Sequence, residues 1–344
     1  MGLPVVLQDG EARHLVALVE TMTEARLAAL RELGTPEIVV TARRAAALGI
    51  APAIPSDTLR LRLPDTAGRD WIAALSGQNG PGCTDPGDAL PRPVPGTAPH
   101  DAAIRIAVAL QSVPAILVVP LSARDDPRIA ALGLGAMPLP LVADALLRSG
   151  IQSPVSAARL PMDASEAGRV QVFRPDDGGA EHFAIEIGAP DLSAPVMVRL
   201  HSACFTGDVL GSRKCDCGPQ LRASMAAMAE EGGGVLLYLN QEGRGIGLAN
   251  KLRAYALQDA GLDTVEANHW LGFEDDQRDF RIGARMLASL GISQVRLMTN
   301  NPAKTASLAA HGIDVVDRVP LRVGRTAQNA QYLATKAAKS GHLL

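Results

Sequence analysis

Three of the four cysteines in this 344-residue chain, Cys204, Cys215 and Cys217, fall within fourteen residues, while Cys83 stands alone. Three thiolates on a short loop can hold a zinc ion and leave one coordination position for water, the arrangement of catalytic zinc sites. Structural sites fill all four positions with protein. His201 lies three residues before Cys204, so a closed Cys₃His site is an alternative, and buried free cysteines are a third. A Cys-Asp-Cys run in a Gly-containing loop is a poor core pattern, which favours metal. Zinc lowers the pKa of bound water to about 7, help that attack on an electron-poor ring carbon requires.

Other polar groups recur at element ends. Along 196–201 the residues alternate with period two, so Val196, Val198 and Leu200 face one way and Met197, Arg199 and His201 the other. Arg and His together before a metal loop make a candidate pocket wall, or else a solvated sheet face. The run Gln241-Glu242-Gly243-Arg244-Gly245-Ile246-Gly247 follows an apolar strand and opens a helix. Glycines permit close backbone approach, helix N-termini favour anions, and Arg can grip phosphate; a plain turn is the alternative. It is not a Walker A loop. The acidic residues of 274–279 suit a helix start through capping. Arg278 in the same turn opposes the dipole and is therefore a functional candidate. Lys304, just after Pro302, also opposes a helix dipole and is either a phosphate ligand or an ordinary surface lysine.

The elements that must position these groups are legible in outline. Residues 24–33 and 102–110 read as helices and 37–41 and 115–120 as strands. Between them lies the Gly/Pro-dense stretch 76–100, which reads as a loop. This is a small α/β unit. Residues 151–168, polar and interrupted by Pro154 and Pro161, read as a linker. Beyond it, strands are expected at 184–187, 196–201, 234–239 and 295–298. Helices are expected at 220–231, 246–260, 281–290 and 303–310. The expectation is an α/β protein with a mixed sheet: a smaller N-terminal α/β domain over 1–165 and a second domain over 166–344.

Bulk properties exclude several classes. The net charge is −3 and aromatics are 3% of the chain, which argues against a nucleic-acid-binding surface. No stretch is apolar enough for a bilayer span, and the N-terminus lacks a secretory pattern. Met1-Gly2 invites a myristoylation reading, but Val6 stands where Ser or Thr is required. A cytoplasmic location is expected, where clustered cysteines are more often ligands than disulfides.

The segments RLHSACFTGDVLGSRKCDCGPQL, YLNQEGRGIGLANKLRAYALQD, DTVEANHWLGFEDDQRDF, VRLMTNNPAKTASL and GIDVVDRVPL, with a TKAAKSGHLL tail, together resemble the GTP cyclohydrolase II family. They run in order over about 150 residues. The resemblance implies opening of the imidazole ring of GTP. Formate and pyrophosphate leave, and a diaminopyrimidine-ribose phosphate remains, the first step towards riboflavin. It implies zinc on Cys204, Cys215 and Cys217, and magnesium on the triphosphate. Contacts to GTP would come from Arg199, Leu200, His201, Ser202, Ala203, Gln220, Glu242, Gly243, Arg244, Tyr255, Thr264, Thr299 and Lys304. Asp276 would be the general base and Arg278 the nucleophile at the α-phosphate, although a guanidinium is almost always protonated and could instead stabilise charge there. His201 then reads as a pocket residue rather than a ligand. A homodimer is implied.

The chain departs from the family at Ala203, where many relatives carry Glu, and at Leu239-Asn240, where they carry His-Arg. Two alternatives follow: a paralogue that performs a related purine or pyrimidine ring opening, or a non-catalytic nucleotide-binding regulator. Residues 2–50 have the cadence of the start of dihydroxybutanone phosphate synthase. That enzyme's Arg-Glu-Asn-Glu-Gly-Asp cluster is missing, and EARHLVAL stands in its place. A degenerate, inactive relative is expected here; a dimerisation or regulatory module is the alternative.

Overall fold

The computed structural model describes residues 2–50, 54–80, 90–147, 150 and 152–329. Cys83 and the 335–344 tail lie outside the described residues. The chain forms two compact units, Met1–Arg148 with Ala249–Gln277, and Ser149–Leu248 with Arg278–Leu344. The sequence leads one to expect two domains that meet at 165/166. Compact packing is divided differently, with one internal segment assigned to the unit that holds the N-terminus.

The first unit contains β1 (Val5–Asp9), β2 (Ala12–Leu18), α1 (Glu24–Leu33), β3 (Glu37–Thr41), α2 (Ala42–Ala47), β4 (Thr58–Arg62), α3 (Arg69–Ser76) and β5 (Val94–Pro95). It continues with α4 (Ala98–Ala109), β6 (Ala115–Leu121), α5 (Asp126–Ala131), β7 (Ala136–Pro138) and α6 (Leu139–Leu147). Its sheet runs β5-β4-β3-β6-β2-β1-β7, antiparallel except for the parallel β1–β7 pair. The apolar strand β6 lies at its centre, buried from Ala115 to Val119. The stretch 76–100 is not loop to its end: it carries β5 and the first turn of α4, where Pro99 sits in the first turn and Thr97 and His100 form a capping box.

The second sheet runs β14-β13-β11-β12-β10-β9-β8. Its strands are β8 (Gln152–Arg159), β9 (Arg169–Pro175), β10 (His182–Gly188), β11 (Val196–Ser202), β12 (Gly233–Leu239), β13 (Gln294–Met298) and β14 (Asp314–Val319). The β14-β13-β11-β12 half is parallel and the β12-β10-β9-β8 half antiparallel, so the sheet is mixed as expected. The helices after β8 are α7 (Cys217–Glu230), α8 (Gly247–Asp259), α9 (Thr264–Trp270), α10 (Arg281–Ser289) and α11 (Pro302–Ala310). Most of α8 and all of α9 lie in the segment assigned to the first unit.

The linker expected at 151–168 is corrected: its first half is strand β8, paired antiparallel with β9. Pro154 cannot donate to a ladder, but β8 is an edge strand with a register shift between Pro154 and Ser156, a position where proline is tolerated. A Pro-marked, polar strand is what an edge looks like in sequence.

Strand β11 is covered on both faces. Val196, Val198 and Leu200 pack with Phe280, Ala284 and Leu287. Met197 packs on the opposite face with Met228 and Leu236. Strands buried on both faces read as near-continuous apolar runs, so Arg199 and His201 at 6% and 3% exposure are the anomalies. The solvated-face alternative for this strand is excluded.

Two stability outcomes follow. A Cβ on Gly234 would lie 2.5 Å from Met228 Cγ and 2.9 Å from the Met197 carbonyl oxygen. The Gly234→Ala variant is therefore expected to lose about 1–3 kcal/mol, read as a lower urea midpoint at unchanged slope. His182 is buried, its Nδ1 accepts from Asn240 N at 3.0 Å, and burial pulls its pKa down to about 4. A folded state that resists protonation keeps its full stability above about pH 6.5 and loses it as pH falls towards 4. Urea titrations across that window should show a shallower decline for His182→Gln than for the parent chain.

Candidate active site at the carboxyl ends of parallel strands

Strands β13, β11 and β12 are parallel neighbours, so their carboxyl ends lie at one edge of the sheet. Ser202 ends β11, the turn at Gln241 follows β12, and Thr299 follows β13. Crevices outside the carboxyl ends of strands are where open α/β sheets bind ligands.

The chain leaves β11 through Ala203, whose N–H donates to the Leu239 carbonyl at 2.8 Å. It then makes a single π-helical turn, Phe205–Val209, a feature frequent at functional sites. The turn brings Cys204 back to Cys215 and Cys217 at the start of α7. The three sulfurs lie within 4.8 Å of one another, and those of Cys204 and Cys215 are 3.6 Å apart. Sulfurs bound tetrahedrally at about 2.3 Å to zinc would be separated by about 3.8 Å, so the donor set fits. A Cβ on Gly207 would lie 2.7 Å from the Cys215 sulfur and 3.1 Å from that of Cys204. Only glycine lets the loop backbone pass this close. As free thiols the group is unfavourable to ionise: the hydrogen bond with Cys204 pushes the Cys215 pKa up. Among the described residues no His nitrogen or carboxylate joins this cluster, so His201 is not part of it.

His201 instead serves the loop. Its Nε2 is 3.0 Å from Asp208 Oδ2, and that oxygen also accepts from Tyr238 Oη and from Cys204 N, each at 3.0 Å. The His201 ring stacks on Tyr238 with centroids 5.5 Å apart. Burial lowers the His201 pKa, opposed by the hydrogen bond to Asp208. A carboxylate can only accept, which places the imidazole proton on Nε2, and Nδ1 has no hydrogen-bond partner among the described residues. Burial and Asp208 together push the Tyr238 pKa up, keeping it a donor.

Two of the basic side chains, Arg199 and Lys304, are buried. Arg199 Nη2 donates to Gln220 Oε1 at 2.6 Å and Nη1 to the Met298 carbonyl at 3.3 Å. Burial lowers its pKa to about 10, with Cys217, Asp216 and Asp208 opposing. It therefore keeps its charge at neutral pH, while its Nε has no hydrogen-bond partner among the described residues. Lys304 is 8% exposed and donates from Nζ to the Leu200 carbonyl at 2.6 Å. The surface-lysine alternative is thereby corrected: dipole repulsion is offset by that carbonyl and by the Phe280 ring, 5.4 Å from Nζ. Arg278 lies over the same ring at 4.9 Å and reaches Ser202 Oγ at 3.4 Å.

Glu242 is held by backbone. Its Oε2 accepts from Phe205 N at 2.6 Å and its Oε1 from Gly243 N at 2.9 Å, which couples the Gly-rich turn to the cysteine loop. Gly243 and Arg244 both adopt left-handed conformations, with φ of 63° each. For Arg244 this is a strained state, of the kind that clusters at ligand-binding sites. Gln241 pairs with the backbone of Asp279, accepting at 3.1 Å and donating at 2.9 Å, and so anchors the stretch next to Arg278. The Thr299 hydroxyl accepts from Asn301 N at 3.0 Å within the turn that starts α11.

Arg199 to Cys204, Cys215, Cys217, Gln220, Glu242, Gly243, Arg244, Arg278, Thr299 and Lys304 thus belong to one unit. Tyr255, Thr264 and Asp276 belong to the other. There Tyr255 lies on α8 with Lys251 Nζ 5.8 Å from its ring, Thr264 opens α9 behind the Asp263 capping box, and Asp276 follows in an exposed loop. The sequence reading did not single out Gly207, Asp208, Tyr238 or Phe280. The Thr206-Gly207-Asp208 run, one residue past Cys204, is the available signal for the first two.

Residues 153–320 match the family model described as GTP cyclohydrolase II. A protein named GTP cyclohydrolase-2 from Pseudomonas aeruginosa strain LESB58 is 55% identical over 190 residues, covering 55% of this chain and 92% of the relative. One from Azotobacter vinelandii is 59% identical over 172 residues, covering 50% and 83%. Another from Azospirillum brasilense is 56% identical over 189 residues, 55% of this chain, which spans about half (49%) of that relative. Among solved structures, a two-domain 3,4-dihydroxy-2-butanone 4-phosphate synthase from A. baumannii aligns over 94% of this chain and 96% of its own, with a TM-score of 0.33 and 13% identity. A likeness that weak carries nothing about fold or activity.

If the glycine cradle is what lets the sulfurs converge, Gly207→Ala should bind metal much more weakly than the parent chain while staying folded. Metal content after dialysis, compared with the circular dichroism spectrum, measures both; full retention of metal would contradict the geometry.

Proposed function

The chain belongs to the GTP cyclohydrolase II family, and from that premise we propose that it hydrolyses GTP, opening the guanine imidazole ring with loss of formate and pyrophosphate in the first step towards riboflavin. The observation that carries the reading is the convergence of Cys204, Cys215 and Cys217 beside buried cationic side chains at the carboxyl ends of β11, β12 and β13. Cys204, Cys215 and Cys217 would hold zinc, which would supply Lewis acidity able to make water reactive at neutral pH.

The chain's own residues do the rest. Glu242, held by Phe205 N and Gly243 N, retains lone pairs that can accept from the ring N–H and exocyclic amine of guanine. Arg199, Arg244 and Lys304 offset the charge of the triphosphate, on which magnesium rides. Asp208 fixes the His201 tautomer, leaving Nδ1 as a proton acceptor. Asp276 acts as general base. Arg278, a permanent cation, stabilises charge at the α-phosphate rather than attacking it. Ser202, Ala203, Gln220, Gly243, Tyr255, Thr264 and Thr299 complete the substrate contacts. The enzyme works as a cytoplasmic homodimer. Residues 1–165 take no chemical part, and residues 166–344 form the catalytic domain in the functional sense.

Incubating the purified chain with GTP, zinc and magnesium should release formate and pyrophosphate together, followed by mass spectrometry. Absence of formate would sink the proposal, and formate without pyrophosphate would mark a related ring opening instead. The Cys215→Ser variant should release no formate. Retained ring opening there would refute a catalytic metal at the three cysteines.

A further inference from the structure

The unit that holds the N-terminus includes Ala249–Gln277, the stretch that carries Tyr255, Thr264 and Asp276. A match of 190 residues covers 92% of the Pseudomonas relative, which therefore has no room for a counterpart of the first 148 residues. In this chain that segment packs with the N-terminal residues.

The fit centres on Arg44, which is 2% exposed and faces no carboxylate among its described hydrogen-bond partners. Its Nε donates to the Leu75 carbonyl at 2.8 Å and its Nη2 to that of Ala74 at 2.7 Å, both on α3. Its Nη1 donates to the Trp270 carbonyl at the end of α9 at 2.7 Å, and its guanidinium lies 4.8 Å from the Trp270 ring centroid. Burying a cation is costly unless fixed dipoles surround it. Three carbonyls and a ring do so here, and the charge survives although burial lowers the pKa to about 10. The guanidinium thereby locks the C-terminal turn of α9 to α3.

Two glycines make room for it, one from each side of the contact. A Cβ on Gly77 would lie 2.9 Å from the Trp270 carbonyl oxygen and 3.2 Å from Arg44 Cζ. A Cβ on Gly272 would lie 3.0 Å from Thr41 Oγ1 and 3.2 Å from Arg44 Cβ. Both have positive φ, 83° and 88°. Thr41 Oγ1 donates to the Gly272 carbonyl at 2.7 Å, and Arg43 reaches Glu274 Oε2 at 2.9 Å. At the other end of the segment, Arg253 pairs with Glu20 and Asn250 donates to the Gln111 carbonyl at 2.8 Å. The segment is therefore held at both ends by side chains or carbonyls of the first 148 residues.

We propose that Arg44 is a positioning residue for GTP hydrolysis, and that the N-terminal residues around it serve this enzyme as a scaffold that fixes the backbone carrying Thr264 and Asp276. The inference rests on the function proposed above. It gives the N-terminal part of the chain a role in the reaction without any chemistry of its own. Arg44 acts through the segment, two residues of which, Gly272 and Glu274, lie within four positions of Asp276.

The test uses the full chain loaded with zinc. Arg44→Met should lower kcat for formate release by about tenfold to a hundredfold, the effect of misplacing a reacting group by an ångström or so, while zinc stoichiometry stays unchanged. Hydrogen exchange should quicken over 264–277 and not over the cysteine loop. Arg44→Lys, which keeps the charge but not the fork, should recover part of kcat. In an Asp276→Asn background, Arg44→Met should cost little further, because both changes act through one group. Arg31→Ala removes bonds to the Pro64 and Ala67 carbonyls, away from the segment, and should leave kcat alone. If Arg44→Met proves unstable, Arg43→Ala breaks an exposed pair to the same loop and should show the same pattern, smaller. Unchanged exchange over 264–277, or a kcat loss in Arg44→Met fully additive with Asp276→Asn, would overturn the proposal. A parent chain that releases no formate would instead refute the function while the exchange measurement still tested the clamp.

Discussion

Three sulfurs crowd together at one edge of a buried sheet, and much of the second unit is arranged to permit it. The hydrogen bond with Cys204 pushes the Cys215 thiol up, and three sulfurs within 4.8 Å of one another suit a shared cation. The loop reaches it by a π-helical turn, a glycine with no room for a side chain, and a carboxylate, Asp208, that accepts from the first cysteine's own N–H. The same carboxylate orients His201 and Tyr238. Outer groups of this kind hold metal ligands in place.

The parallel half of the sheet explains why the other groups gather there. Each parallel strand ends at the same edge, so Ser202, Gln241 and Thr299, far apart in the chain, begin turns at one place. The buried Arg199 donates to a carbonyl of β13 and the buried Lys304 to a carbonyl of β11. Phe280 stands between Lys304 and Arg278 and lets two like charges lie near one another over a ring.

The cluster was legible in the sequence because thiol spacing and Gly-rich strand ends carry local signals. So were the period-two face of β11 and the helix start after Asn301, whereas the short helix α9 behind Asp263 was not. Burial was not legible: Lys304 reads as a surface residue until the Leu200 carbonyl is found beneath it. Strand β8 was missed because an exposed edge strand with Pro154 lacks the apolar alternation that marks a strand. Asp208 and Tyr238 were missed because their meaning depends on a contact across 30 residues. The packing of Ala249–Gln277 with the N-terminal residues was the least legible of all, since it depends on Arg44 meeting backbone carbonyls, which have no sequence signature.

The proposed chemistry depends on the character of the metal centre. X-ray absorption at the zinc edge of the purified chain reads it directly. The expected spectrum fits three sulfurs at about 2.3 Å and one light atom at about 2.0 Å, without the outer-shell scattering of an imidazole. A fourth protein ligand, above all an imidazole signal that disappears in His201→Ala, would close the site and contradict a catalytic role for it.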